Sequence, residues 1–398
     1  MINPSAQGWI DKFLSKYYLP RVLSATDDRL FYYKLRKTGF IYGHVVFLET
    51  KHELSFKGWT SEEISKVVLF DSLFGIYEIV TKDSDSNAFI QTLLQFYDVL
   101  HPENFSFIRK ILPNEVNSIR LEKIINERVQ TNDNIINKNF SHLVTNALLF
   151  VDVLAFQNYL IHGGLSKNYI QKIEEIIISI VSLALKNKIT KTQYDDLLIR
   201  LFESSVRYTK FSNCKIDNLN KLDFKFIQRD LEKFYIMDLV GMSLWNDEIL
   251  DEKEIIILNA IGRLFDLKPE FVKESYVEID SFIRENKKNI PYFNYSNPIK
   301  HFYDQATQNV ILLITRNKRR LQKELSESKE LVILLAASTH RELDSMEKKR
   351  MKKQLLDVCK TIPSLTIFLL PGGSILLPLL IKFIPQLLPS TFNENLDN

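Results

Sequence analysis

The sequence predicts an all-α fold of multi-helical bundles with a Pro-kinked apolar C-terminal membrane segment, and three observations carry that prediction. The 398 residues include only 11 glycines and 12 prolines, which favours long helices over a turn-rich sheet protein. Helix-start signals precede several amphipathic stretches. Only one segment, Gly39 to Leu48, has the β-branched and aromatic residues expected of a short strand.

The first third of the chain alternates aromatic-rich amphipathic stretches with polar breaks. Thr60 and Glu63 have the spacing of a capping box, which predicts a helix over Ile64 to Val80. Prolines delimit two further helices, predicted over Ser86 to Leu100 and Asn114 to Val129.

The helices after Phe140 are longer and more apolar. Asp152 interrupts the hydrophobic stretch from Leu143 to Leu160, so this stretch is predicted to be a buried core helix and not a membrane span. Thr190 and Gln193 form another capping box. The remaining helices are predicted over Ile170 to Lys186, Thr190 to Tyr208, Asp230 to Trp245, Asp251 to Phe265 and Lys268 to Glu285.

The length of the chain exceeds what one hydrophobic core usually organises, so more than one domain is expected. A polar, aromatic linker over Asn286 to Asn297 is the predicted boundary. The sequence therefore predicts an N-terminal helical region over 1–135, a second helical domain over 136–290 and a C-terminal region over 291–398 that contains the apolar segment 361–392.

Charge and cysteine content exclude several classes of protein. The formal net charge of +3 provides no global field for nucleic acid, so direct DNA binding is not expected. Cys214 and Cys359 are the only cysteines, too few for a disulfide framework, and the N-terminus lacks the pattern of a secretory signal. The sequence thus favours reduced, intracellular surroundings.

The sequence carries no recognisable enzyme motif. The sequence contains no phosphate-binding loop, nucleophile elbow or zinc-protease pattern, and the seven histidines are scattered. A non-enzymatic protein without a required cofactor is therefore predicted.

The acidic run from Asn246 to Glu254 lies between two predicted helices. Asp247 and Glu254 match the acidic positions of tellurite-resistance TerB-like domains, which this segment resembles, while Asp251 fits a helix N-cap. Three carboxylates could seed a divalent-cation site, yet acids at a helix N-terminus are also explained by the helix dipole. Capping is the favoured interpretation, and a metal site at Asp247, Asp251 and Glu254 is the alternative.

Basic residues cluster twice in the last quarter of the chain. The first cluster comprises Arg316, Lys318, Arg319 and Arg320. The second precedes the most apolar segment and comprises Lys348, Lys349, Arg350, Lys352 and Lys353. Each Lys or Arg close to an anionic leaflet contributes ~1 kcal/mol, so the second cluster predicts contact with the cytoplasmic side of a membrane.

The C-terminal segment is free of charge from Thr361 to Ile381, about the length of a spanning helix. Three prolines at intervals of seven residues would lie close to one face of a helix and expose a stripe of unpaired carbonyl groups. A span, a hairpin that dips into one leaflet and a buried hairpin in a soluble core remain open, and insertion into a membrane is favoured. The predicted membrane-segment residues are Pro363, Pro371, Ser374, Pro378, Lys382, Pro385 and Pro389.

This proline spacing, with the closing Leu388-Pro389-Ser390-Thr391-Phe392, resembles the membrane segment of the leucine-zipper and EF-hand transmembrane (Letm) family. The layout of the chain is similar to bacterial Letm-related proteins, some of them labelled biofilm-associated. The resemblance implies membrane residence, cation homeostasis by exchange against protons, and ribosome binding through a domain after the membrane segment. Ser374 stands where the family has an acidic residue, and only six residues follow Phe392.

Three functions follow from these observations. The favoured one is a membrane-associated helical adaptor or scaffold of Letm type at the cytoplasmic (inner) membrane, with most of the chain on the cytosolic side. Its expected partners are membrane lipid, a protein partner such as the ribosome, and further copies of itself. The alternatives are a Letm-type cation/proton transporter and a soluble TerB-like metal-sensing interaction module.

Overall fold

The computed structural model describes residues 2–20, 27–100, 116–129, 148–166, 168–187, 224–245, 252–286 and 298–362, with Leu365, Leu380, Ile381, Phe383 and Ile384. These residues form 14 α-helices and two short 3-10 helices, without a β-strand among them. The prediction of an all-α protein is confirmed.

The described helices belong to two compact units. The first unit contains α1 (Trp9–Lys16), α2 (Asp28–Thr38), α3 (Ser61–Thr81), α4 (Ser86–Leu100), α5 (Asn117–Val129), α6 (Phe150–His162), α7 (Tyr169–Asn187), α8 (Asp230–Leu244), α9 (Glu252–Leu264) and α10 (Pro269–Asn286). The second contains α11 (Pro298–Arg316), α12 (Lys318–Glu327), α13 (Lys329–His340) and α14 (Ser345–Thr361), together with residues 57–60. The three-part division predicted from the sequence stays a prediction.

Most of the predicted helices are confirmed to within a few residues. The helix predicted over 86–100 coincides with α4, and those predicted over 64–80 and 170–186 correspond to α3 and α7. The helix predicted over 190–208 and the linker over 286–297, apart from Asn286, lie outside the described residues.

Helix α3 forms the centre of the first unit, where it packs against α5 and α6. Sixteen of its 21 residues are buried, so this helix has no wide polar face. Phe74 stacks on Phe89 of α4, with ring centroids 4.3 Å apart, and Phe70 contacts the same ring. Farther along the chain, α8 packs against α7 and α10.

Two buried ion pairs join helices of the first unit. Arg128 of α5 binds both carboxylate oxygens of Asp152 in α6, with 2.6 Å between Arg128 Nε and Asp152 Oδ2, and Tyr97 donates to the same oxygen. Asp152 is fully buried, so the predicted core helix is confirmed, and its charge is compensated by a partner on a neighbouring helix.

The second pair is formed by Arg36 of α2 and Asp238 of α8, at 2.8 Å between Nε and Oδ2. Tyr32 and Ser275 also donate to Asp238, and burial raises the pKa of Tyr32 well above its ordinary value. The Tyr32 hydroxyl therefore remains a donor, and the network links α2, α8 and α10.

The strand predicted over residues 39–48 is wrong. Gly39 and Gly43 both adopt left-handed backbone angles, with φ near 81° and 76°, and enclose a 3-10 turn over Phe40–Tyr42. The following backbone bonds to other elements: Val46 N–H donates to Thr38 O at 2.9 Å, and Lys51 N–H donates to Tyr17 O at 2.8 Å. Four of its apolar residues, Phe40, Ile41, Tyr42 and Leu48, are buried, whereas Phe47 is exposed, and the strand-like composition occurs without a strand partner.

The second unit has its own hydrophobic core. Residues from all four of its helices contribute, including Val310, Leu321, Leu335 and Leu355. Leu365, Leu380 and Ile384, which belong to the predicted membrane segment, are buried in the same core. Across the described parts of the chain, no helix is both long and apolar enough to span a bilayer.

Candidate functional site

Helix α14 begins at a well-defined capping box. The Asp344 carboxylate accepts the Glu347 N–H at 2.8 Å, and the Glu347 carboxylate accepts the Asp344 N–H at 3.0 Å. Arg341 donates two further hydrogen bonds to Glu347, at 2.6 and 2.7 Å. Chiefly because of Arg341, the pKa of Glu347 is lowered to about 2. The start of α14 is therefore fixed by charge as well as by backbone hydrogen bonds.

One face of α14 is packed into the core of the second unit. Met351, Leu355, Val358 and Cys359 are buried on this face. Burial raises the pKa of the Cys359 thiol to about 12, so the thiol stays protonated and unreactive at neutral pH.

The opposite face of α14, on which Lys349 and Lys353 lie, is basic. All five residues of the predicted cluster, Lys348, Lys349, Arg350, Lys352 and Lys353, are exposed. With 3.6 residues per turn, Lys349, Lys353 and Lys360 lie within about 40° of one another, on the side away from Met351 and Leu355. We call the surface of Met346, Lys349, Lys353 and Lys360 the outward face.

Most of the charge on this helix is not neutralised locally. Arg350 has a long contact with Glu330 of α13, at 3.8 Å, and Lys360 pairs with Asp357 at 2.6 Å. Lys348, Lys349, Lys352 and Lys353 have no carboxylate within 4 Å among the described residues. Residues 298–362 carry 14 Lys and Arg against eight Asp and Glu, a local net charge of +6 in a chain whose total is +3.

The first predicted basic cluster lies at the start of α12. Lys318, Arg319 and Arg320 are exposed there, in the first turn, where the positive end of the helix dipole does not favour cations. Arg316 donates to the carbonyl oxygen of Gly58 at 3.2 Å. The second unit therefore presents basic side chains from two helices.

Sequence reasoning missed two exposed apolar side chains beside the basic residues. Met346 in the first turn of α14 is 62% exposed, and Ile333 of α13 is 57% exposed. The only sequence signal was the position of Met346 three residues before Lys349, on the same helical face.

None of the seven predicted membrane-segment residues is among those that the structure describes. Pro363, Pro371, Ser374, Pro378, Lys382, Pro385 and Pro389 all lie outside the described residues. The neighbours that are described, Leu365, Leu380 and Ile384, contact protein. The proposed proline stripe therefore stays a prediction.

The predicted metal site is described only in part. Asp247 and Asp251 lie outside the described residues, whereas Glu254 is buried in α9. Within the described ranges, no three His, Cys, Asp or Glu side chains meet as metal ligands. The metal site and the TerB-like resemblance stay predictions.

Comparison with known proteins adds one finding. A sequence model of the family described as "LETM1-like, RBD" matches residues 343–398, which include the whole of α14. The match covers the last 56 of 398 residues, so it concerns this segment and not the larger helical unit before it. No curated protein and no solved structure matches the chain. The predicted resemblance to the Letm family is confirmed for the C-terminal segment.

Proposed function

We propose that the chain is a Letm-type helical adaptor that binds the cytosolic surface of an anionic membrane through the basic face of α14. The single observation that carries the proposal is the set of four exposed lysines without a carboxylate partner, located in the segment similar to the LETM1-like family. The bulk of the chain would then be available on the cytosolic side to a protein partner.

The energetics support reversible binding. A lysine near an anionic leaflet contributes about 1 kcal/mol, so Lys349 and Lys353, which lie on the outward face, together favour such a surface by about 2 kcal/mol without a spanning helix. Leu365, Leu380 and Ile384 are buried in the core of the second unit, and this burial favours contact at the surface over a span formed by the whole apolar segment.

The test is flotation of the full-length protein with phospholipid vesicles. We expect the protein to float with vesicles that contain phosphatidylglycerol and to remain behind with vesicles of phosphatidylcholine alone. Raising the salt from about 0.1 M to about 1 M shortens the Debye length from ~10 Å to ~3 Å and should release it. Equal flotation with both vesicles, or none with either, would contradict the proposal.

A further inference from the structure

The geometry points to a specific docking surface for anionic phospholipid: α14 lies flat on the bilayer, with Lys349 and Lys353 on lipid phosphates and Met346 in the acyl boundary. This inference rests on the proposed function and deepens it. It names the face that contacts lipid and the direction of the helix relative to the membrane.

Packing against the second unit fixes the direction of α14. The helix is buried along one face from Met351 to Cys359, and its neighbours α12 and α13 pack against that side. A helix held along its length by protein cannot run perpendicular into hydrocarbon without separating that core. The outward face is the side of α14 that a flat surface can reach along the length of the helix.

The outward face combines lysines with one apolar side chain. Met346, Lys349, Lys353 and Lys360 lie within about 60° of one another around the helix axis. A basic face with an apolar side chain is typical of helices that lie in the interface, where lysine stems extend along apolar surface and ammonium groups reach the phosphates.

The neighbouring helix α13 is held against α14 by polar contacts. Glu330 of α13 contacts both Arg350 and Gln354 of α14, which fixes the register of the two helices. Ile333 lies one turn from Glu330 toward the connection between α13 and α14, the end at which Met346 is located. The second exposed apolar side chain, Ile333, thus belongs to a helix that packs against α14.

The charge distribution favours the first turns of α14 as the lipid contact. Asp357 pairs with Lys360 at 2.6 Å and lowers the net charge of the C-terminal turns. Lys349 lies in the second turn of α14 and Lys353 at its midpoint, so neither lysine is stabilised by the negative end of the helix dipole. An external anion would supply the missing partner.

The first experiment measures vesicle affinity of the full chain. The variant K349A/K353A should bind phosphatidylglycerol vesicles about 30-fold more weakly, since each lysine contributes roughly fivefold. The matched control K268A/K273A removes two exposed lysines of the first unit and should bind as the unchanged protein does. Equal affinity of K349A/K353A and the control would overturn the inference, although the proposed function would survive.

The second experiment locates the apolar contact. In M346W the added tryptophan emission should be quenched by vesicles with brominated acyl chains, whereas V277W, at a comparably exposed position of the first unit, should not be. Binding without quenching of M346W would overturn the inference. If the unchanged protein did not bind the vesicles, the proposed function would be contradicted as well. If it bound a single-stranded polyribonucleotide and not the vesicles, nucleic acid would replace lipid as the ligand, and both the inference and the proposed function would be overturned.

Discussion

Asp152 shows how a single charged residue is accommodated in an apolar helix. Its carboxylate is fully buried and bonds to Arg128 and Tyr97, so the charge has partners in place of water. Removing one member of a buried ion pair leaves the other uncompensated. We therefore predict that Asp152→Asn lowers the free energy of unfolding by about 3–5 kcal/mol, measured by urea denaturation.

Asp98 provides the matched control, because it pairs with Arg120 at 2.6 Å on the surface of the same unit. Asp98→Asn should cost less than ~1 kcal/mol. A similar loss of unfolding free energy in the two variants would show that burial of the Arg128–Asp152 pair does not account for the cost of Asp152→Asn.

Gly39 is required by both its backbone angle and its surroundings. A Cβ at this position would lie 1.9 Å from His44 O and 2.5 Å from the Phe282 ring. Gly163 also has a left-handed φ, near 67°, but a Cβ there meets nothing within 4 Å. We predict that Gly163→Ala costs about 1–2 kcal/mol and that Gly39→Ala costs clearly more, as measured by thermal unfolding. Equal costs would contradict the close packing around Gly39.

At the scale of the element, the start of α14 depends on a charged cap. Glu347 has a pKa lowered to about 2 by Arg341, against 4.5 for the ordinary carboxyl group. Its contribution to stability is therefore fully present above pH ~4.5 and is lost as the pH falls through about 2. We predict that amide protection in α14, measured by hydrogen exchange, falls over this interval.

In the variant Glu347→Gln, the amides of α14 should be less protected at neutral pH and should lose less protection on acidification. The glutamine side chain can still accept a hydrogen bond, but it carries no charge that acid could remove. Glu342→Gln removes the same charge from an exposed neighbouring position and serves as the control. If both variants retain the acid response of the unchanged protein, Glu347 is not its source.

For the whole molecule, the essential feature is that the two units have separate cores. Leu355 is fully buried in the second core. Leu355→Ala should remove about 2–5 kcal/mol from the stability of that unit. We predict that hydrogen exchange quickens in α11 to α14 while α3 and α8 keep their protection.

The reciprocal variant Leu231→Ala removes a fully buried side chain of the first unit and should quicken exchange in α8. Uniform acceleration throughout the chain in either variant would mean that the units unfold as one.

The sequence alone determined the helical class, most helix bounds and the basic cluster before the apolar segment. These features are local: capping residues, proline positions and a period of 3.6 residues act over a few turns. The resemblance to the Letm family could also be recognised from the sequence, because the prolines that carry it lie within one continuous segment.

The buried charges acquire their partners only through tertiary packing. The partner of Asp152 is 24 residues away and that of Asp238 is 202 residues away, so local patterns did not indicate either pair. Residues 39–48 were mistaken for a strand because β-branched and aromatic residues are common at partly buried positions of any kind. Whether such a segment pairs as a strand depends on the distant segments that its backbone meets. Lys360, by contrast, pairs with Asp357 three residues before it, a contact that helical spacing within α14 already indicates.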